Sequence, residues 1–178
     1  MGIVADKKLP LLVATMYKCL CDTFAASSRP VCRCFVYHGA ARPPVENCTP
    51  CGTADPAHDP PQDAPNGQAW VRVTRVIPVI DPVAANCCVN RYQAVLEIGV
   101  QRCLRAVSQQ GEAPSIEDLT ADAFDAYADW ELLRSSVQDC FVGDSCEAPL
   151  NWVSFGEPVG PAGGYSGWAF QFQVELST

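Results

Sequence analysis

The chain has 178 residues, of which 48% are hydrophobic and 18% charged, a balance that supports one folded domain over residues 1–178 and excludes an intrinsically disordered chain. Twenty acidic against twelve basic residues give a formal charge of −8, which argues against a protein that binds by neutralising phosphates. Lys7, Lys8 and Lys18 are its only lysines, and no stretch interleaves arginines with aromatics as a single-strand binding groove requires, so sequence-specific nucleic-acid binding is not expected.

From Asp6 to Ala26 the apolar positions Leu9, Leu12, Val13, Met16, Leu20 and Phe24 recur at three- and four-residue steps, which predicts a helix with one buried face. The alternation from Val31 to Tyr37 predicts a first strand. Residues 38–67 hold Pro43, Pro44, Pro50, Pro56, Pro60, Pro61 and Pro65 and almost no aliphatic side chains; this stretch is expected to project as an extended loop insertion. Trp70 to Ile80 alternates as a half-exposed strand, with Arg72 and Thr74 on its polar side and Pro78 marking an edge. After a connector from Asp81 to Asn90, Tyr92, Ala94, Leu96, Ile98 and Val100 share one strand face and Gln93, Glu97 and Gln101 the other.

A second helix is expected from Ser115, its N-cap, to Phe141, with a core stripe of Ile116, Leu119, Ala123, Tyr127, Trp130, Leu133, Val137 and Cys140. Trp152, Val153 and Phe155 precede a Gly/Pro-rich turn placed at Gly156–Gly167. The closing strand turns Trp168, Phe170, Phe172, Val174 and Leu176 inward and Gln171, Gln173 and Glu175 toward solvent or a partner. The order contains no βαβ alternation with phosphate-loop glycines, so the expected class is α+β: an antiparallel or mixed sheet flanked by two main helices.

The apolar run Leu9–Met16 is too short to span a bilayer, and no small-residue cleavage site follows a positively charged leader. Met1-Gly2 lacks the Ser or Thr at the sixth position that N-myristoylation favours, having Asp6 there. No membrane contact is expected, and the eleven cysteines are expected to stay mostly reduced, with at least one unpaired in a monomer because the number is odd.

No catalytic or cofactor-binding residue can be named. The two histidines, His38 and His58, sit at the start and inside of the proline-rich loop, where nothing holds a base in place. Asp118, Asp122, Asp125 and Asp129 recur at helical spacing, the pattern of a solvated face. The sharpest chemical question is Cys48-x-x-Cys51, a metal-knuckle spacing, with Cys87 and Cys88 as further thiolates and Cys34 or His38 able to complete a zinc site. Zinc, a loop disulfide and free thiols all remain open for these residues. Cys19, Cys103 and Cys140 fall on or near core faces and read as small buried hydrophobes.

The passage Cys48-Thr-Pro-Cys-Gly leading to Gly67-Gln-Ala-Trp-Val-Arg-Val73, the strand Leu96-Glu-Ile-Gly-Val-Gln-Arg102 and the ending Gly160-Pro-Ala-Gly-Gly-Tyr-Ser-Gly-Trp168 before an alternating strand form an ordered combination across most of the chain. Together they resemble the neck and tail-terminator proteins of long-tailed bacteriophages infecting actinobacteria. The resemblance implies a non-enzymatic virion subunit, assembled in the host cytoplasm, that forms a hexameric ring on the last ring of tail-tube protein. It implies docking to the head-completion (stopper) complex and a channel through which DNA passes. Other expectations are a different head-tail connector such as a head-closure or stopper subunit, and a small zinc-binding interaction module built on the cysteines. The 38–67 insertion departs from smaller tail terminators and is expected to touch a neighbouring subunit or ring.

Overall fold

A computed structural model describes residues 8–44, 67–79, 91–104, 113–142, 150–162 and 165–177. Its elements run α1 (Lys8–Ala26), β1 (Arg33–Val36), β2 (Gln68–Pro78), β3 (Arg91–Cys103), α2 (Ile116–Val142), β4 (Leu150–Ala162) and β5 (Tyr165–Ser177). The strands form one mixed five-stranded sheet in the order β1-β2-β3-β5-β4, in which only β1 and β2 are parallel. The expected α+β class, with two helices and a mixed sheet, is the observed one.

The helices pack on the face formed by the alternating apolar residues. Met16, Leu20 and Phe24 of α1 and Leu133 and Val137 of α2 close a core with Ala94, Leu96, Ile98 and Val100 of β3 and Phe170, Phe172 and Val174 of β5. Each large side chain buried there contributes about 1.5–3 kcal/mol. All six expected stripe positions of α1 belong to this core or its margin. The apolar stretch is longer than the short run expected from the sequence: Leu9–Ala26 is long and apolar enough, by length and composition alone, to cross a membrane. The helix ends where Ser27 donates through both its N–H and its Oγ to the Phe24 carbonyl, at 3.2 and 2.8 Å, and Pro30 follows.

β3 is the central strand, paired with β5 from Arg91↔Ser177 to Cys103↔Tyr165 and with β2 from Tyr92↔Pro78 to Gln101↔Gln68, with an irregularity between Val73 and Arg75. Gly99 faces the indole of Trp70 across the β2–β3 pair, and a Cβ at Gly99 would lie 2.1 Å from Trp70 Cζ2, so no larger residue fits beside that ring. β1 covers only Gln68–Val71 of β2. From Arg72 to Pro78 the outer edge of β2 has no strand neighbour among the described residues, in keeping with the edge expected at Pro78.

The Gly/Pro-rich stretch differs most from the sequence reading. β4 continues through Gly156, Pro158 and Gly160 to Ala162, and β5 begins at Tyr165, so most of the expected turn is hairpin strand. The glycines bend the strand instead of ending it. Gly156 and Gly160 have φ of 94° and 91°, and the β4–β5 register shifts between Ser154 and Glu157 and between Val159 and Ala162. Pro158 is tolerated because β4 is the outer strand.

Candidate functional site

The face of the sheet opposite the helices is the polar strand face that alternation assigned to solvent. Its centre is covered instead. Gln68 and Arg72 of β2 and Glu97 and Gln101 of β3 are buried, because residues 39–44 lie across them. Arg72 Nη1 donates to the carbonyls of Gly39 and Ala40 at 3.2 and 3.1 Å, and Gln68 Nε2 donates to the Pro44 carbonyl at 3.0 Å. The start of the proline-rich stretch therefore packs on the body, and its prolines suit the extended path; residues 45–66 lie outside the described residues.

Glu97, with no exposed surface, is the centre of this layer. It accepts from Arg72 Nε at 2.8 Å, Gln171 Nε2 at 2.9 Å and Trp70 Nε1 at 3.4 Å, and Arg42 Nε lies 3.5 Å away. Burial disfavours its charge, but hydrogen bonds from Arg72 and Gln171 and the charges of Arg72 and Arg42 outweigh it. The carboxyl is held below its ordinary value. A carboxylate saturated with donors in this way is a structural anchor with no lone pair directed at a substrate.

A second ionic cluster stands on the helical side. Asp129 is buried and accepts from Arg29 Nε at 3.2 Å and Arg102 Nε at 2.6 Å, while Asp125 accepts from Arg29 Nη1 at 2.6 Å. Arg102 also donates to the Pro30 and Arg29 carbonyls and lies over the Phe24 ring. The expectation that all four spaced aspartates form a solvated face is corrected here: Asp125 and Asp129 tie α2 to the segment after α1 and to the end of β3. Asp118 serves the helix start, where Ser115 Oγ accepts from the Asp118 N–H at 3.0 Å, as expected of the N-cap. Beside this cluster, Ser27, Arg29, Ala128, Leu132 and Ser135 line an open depression of about 410 Å³. Its arginines, Arg29 and Arg134, are paired with Asp125, Asp129 and Glu131.

The expected zinc ligands Cys48, Cys51, Cys87 and Cys88 lie outside the described residues, as does His58. Cys34, expected as a possible further ligand, is bonded to Cys21 across a Cα–Cα distance of 5.7 Å, and a disulfide sulfur is no thiolate. His38 is exposed. Among the described residues no group of three or more His, Cys, Asp or Glu could hold a metal ion. Cys19, Cys32 and Cys103 are also disulfide-bonded, which corrects both the expectation of mostly reduced thiols and the reading of Cys19 and Cys103 as simple hydrophobes. Close pairs of cysteines brought together by folding, as Cys21 on α1 and Cys34 on β1 are, carry no signal in the linear spacing.

The largest departure from the expected core lies in α2. Leu133 and Val137 are fully buried, but Ile116 is 83% exposed, Leu119 54% and Tyr127 59%, although all lie on one stripe. The stripe leaves the body at Tyr127, whose ring lies 6.2 Å from that of Trp168. Phe124, 69% exposed, widens it. Cys140, also expected on this stripe, has a side chain outside the described set. In comparisons with known proteins, no family model matches the chain and no curated protein matches it significantly.

Proposed function

We propose that this chain is a structural virion protein, a tail-terminator ring subunit that caps the phage tail tube and joins it to the head-completion complex. The observation that carries the reading is the exposed apolar half of α2. A contiguous stripe of Ile116, Leu119, Phe124 and Tyr127 in water is costly for a solitary domain and marks a protein–protein contact. The resemblance in the ordered motifs supplies the kind of assembly, and the two-helix, one-sheet body agrees with the α/β subunit it implies. The reading assigns the chain no reaction.

Two further features support it. The acidity gives a ring lumen little counter-charge for phosphates, so DNA passes without adhering; a ring with a strongly positive channel would contradict this. Disulfides such as Cys21–Cys34 suit a virion, which meets an oxidising medium after release. Electron microscopy of the protein alone and mixed with tail-tube subunits tests the proposal: rings on the ends of capped tubes are expected. A protein that stays solitary at high concentration and ignores tubes refutes it. Near-stoichiometric zinc in such a solitary protein would favour an interaction module built on Cys48, Cys51, Cys87 and Cys88 instead.

A further inference from the structure

We infer that the Cys21–Cys34 bridge is a redox-operated clamp. Oxidised, it holds β1 and residues 39–44 shut over the polar face of the sheet; reduced, it lets them lift while the rest of the body stays folded. The bridge joins α1 to β1, the shortest strand of the sheet. β1 is an outer strand of four residues with Arg33 and Val36 exposed, and among the described residues it pairs with Gln68–Val71 of β2 alone. Its flanks add two backbone bonds, from the Cys32 N–H to the Gly67 carbonyl at 3.0 Å and from the Tyr37 N–H to the Val71 carbonyl at 2.9 Å. Phe35 supplies an apolar tie, packing half-buried against the small cluster of Trp70, Val159 and Ala169. α1 is seated far more firmly, with Met16, Leu20 and Phe24 fully buried in the main core. The bridge therefore fastens a loosely held strand to a fixed helix.

The clamped segment has a hinge at one end and a strap at the other. The Arg29 and Pro30 carbonyls accept from Arg102, and the Arg29 side chain holds Asp125 and Asp129, so the chain stays anchored up to Pro30 without the bridge. Past β1, residues 39–44 are held by polar contacts: the Gly39, Ala40 and Pro44 carbonyls accept from Arg72 and Gln68, and Arg42 pairs with Glu97 and Glu157. Lifting exchanges these contacts for water, and Glu97 keeps Arg72 and Gln171 as donors, so no buried charge is orphaned. It also frees the outer edge of β2 from Gln68 onward, which then runs open to Pro78 among the described residues. A long open edge invites aggregation, and the closed clamp shortens it. Cys21 and Cys34 are both half-buried beside an outer strand, within reach of a small reductant. A dithiol gives up two electrons and two protons: the Cys21–Cys34 sulfur–sulfur bond breaks, two cysteine thiols form and the dithiol closes to its own disulfide. Oxidised glutathione reverses the step and leaves as two thiols. The clamp operates within one copy, with or without a ring.

Amide hydrogen exchange of the full chain, resolved by NMR, tests the clamp in oxidising buffer, in dithiothreitol and after re-oxidation with oxidised glutathione. The Cys32 and Tyr37 amides, which bond across to β2, are expected to exchange roughly tenfold faster or more in dithiothreitol, because a link with a sequence separation of 13 no longer restrains the lifted state. The amides of Leu96 and Phe172 in the β3–β5 ladder are expected to stay protected, and re-oxidation to restore the slow rates. In oxidising buffer Cys21→Ala/Cys34→Ala leaves the disulfide at Cys32 in place, so it is expected to free the Tyr37 amide while Cys32 keeps its protection. Faster exchange over the whole chain overturns the clamp, because the bridge is then a staple of the entire fold. A Tyr37 amide that exchanges equally under all conditions also overturns it. Should the double variant fail to fold, the wild type in dithiothreitol decides between the same outcomes. Either failure leaves the ring reading intact, since tube capping tests that separately.

Discussion

Replacing Arg72 with methionine tests whether the covered sheet face is held by the Glu97 cluster. The substitution keeps most of the volume but removes the donor at 2.8 Å from a carboxylate with no exposed surface. Breaking a buried pair from one side costs about 3–5 kcal/mol, because the remaining charge is left without its partner. Arg42 remains 3.5 Å from the same carboxylate and Gln171 still donates, so the lower end, about 3 kcal/mol, is expected at neutral pH. For a chain of this size about 2–4 °C per kcal/mol converts that to a fall in Tm of roughly 6–12 °C. The pH dependence carries the sharper test. In the wild type Glu97 titrates below its ordinary value of 4.5, so its contribution is fully present above that pH and is lost as pH falls toward the lower folded value. Without Arg72, burial gains weight and the folded carboxyl moves upward. The variant's deficit should then shrink as the pH is lowered and Glu97 takes up a proton. Urea unfolding of both proteins between pH 4 and 8 measures this. A cost below about 1 kcal/mol at pH 7, or a deficit independent of pH, would refute the argument.

Three further outcomes follow from packing and cross-linking. Gly99→Ala should destabilise by about 1–3 kcal/mol through collision with the Trp70 indole, and Trp70→Leu should remove most of that penalty; equal denaturation midpoints for wild type and Gly99→Ala would contradict the close approach. Cys21→Ser/Cys34→Ser opens a loop with a sequence separation of 13 and should cost about 3 kcal/mol under oxidising conditions and nothing in reductant, as read by thermal unfolding with peptide mapping of the bridge. Ser115→Ala should cost about 1 kcal/mol by removing the N-cap of α2, measurable as a loss of helical circular dichroism signal and a lower Tm.

Periodicity made the body legible because it is a local signal. The stripe of α1, the alternation of β3 and β5 and the Ser115 cap each rest on neighbours a few residues away, and each stands where expected. What the sequence could not reveal depends on what lies across from each residue. Glu97 and Gln101 alternate like solvent-facing residues, yet residues 39–44 cover them. Asp125 and Asp129 share helical spacing with Asp118 and Asp122, but Arg29 and Arg102 reach them from distant parts of the chain. Ile116 and Leu119 share a stripe with Leu133 and Val137, and nothing in that repeat states where the body stops. The β4–β5 glycines read as a turn because glycine marks both turns and bulges, and only the pairing register separates the two.

The same cross-chain contacts reshape the charge that the molecule presents. Arg42 and Arg72 converge on Glu97, and Arg29 and Arg102 converge on Asp129, so four arginines turn toward two buried carboxylates. Arg29 also holds Asp125, which is half exposed. More positive than negative side chains are thereby drawn into the body, and the outer surface is more acidic than the formal charge of −8 suggests. Copies of such a molecule repel one another at long range, and the repulsion weakens within a Debye length as salt is added. The short-range apolar stripe of α2 must overcome that repulsion for a ring to close. Assembly should therefore strengthen as salt rises from low to physiological levels. A ring held by charge attraction alone would lose affinity from the first addition of salt, so the sign of the initial salt dependence, read by sedimentation, separates an apolar contact from a purely ionic one.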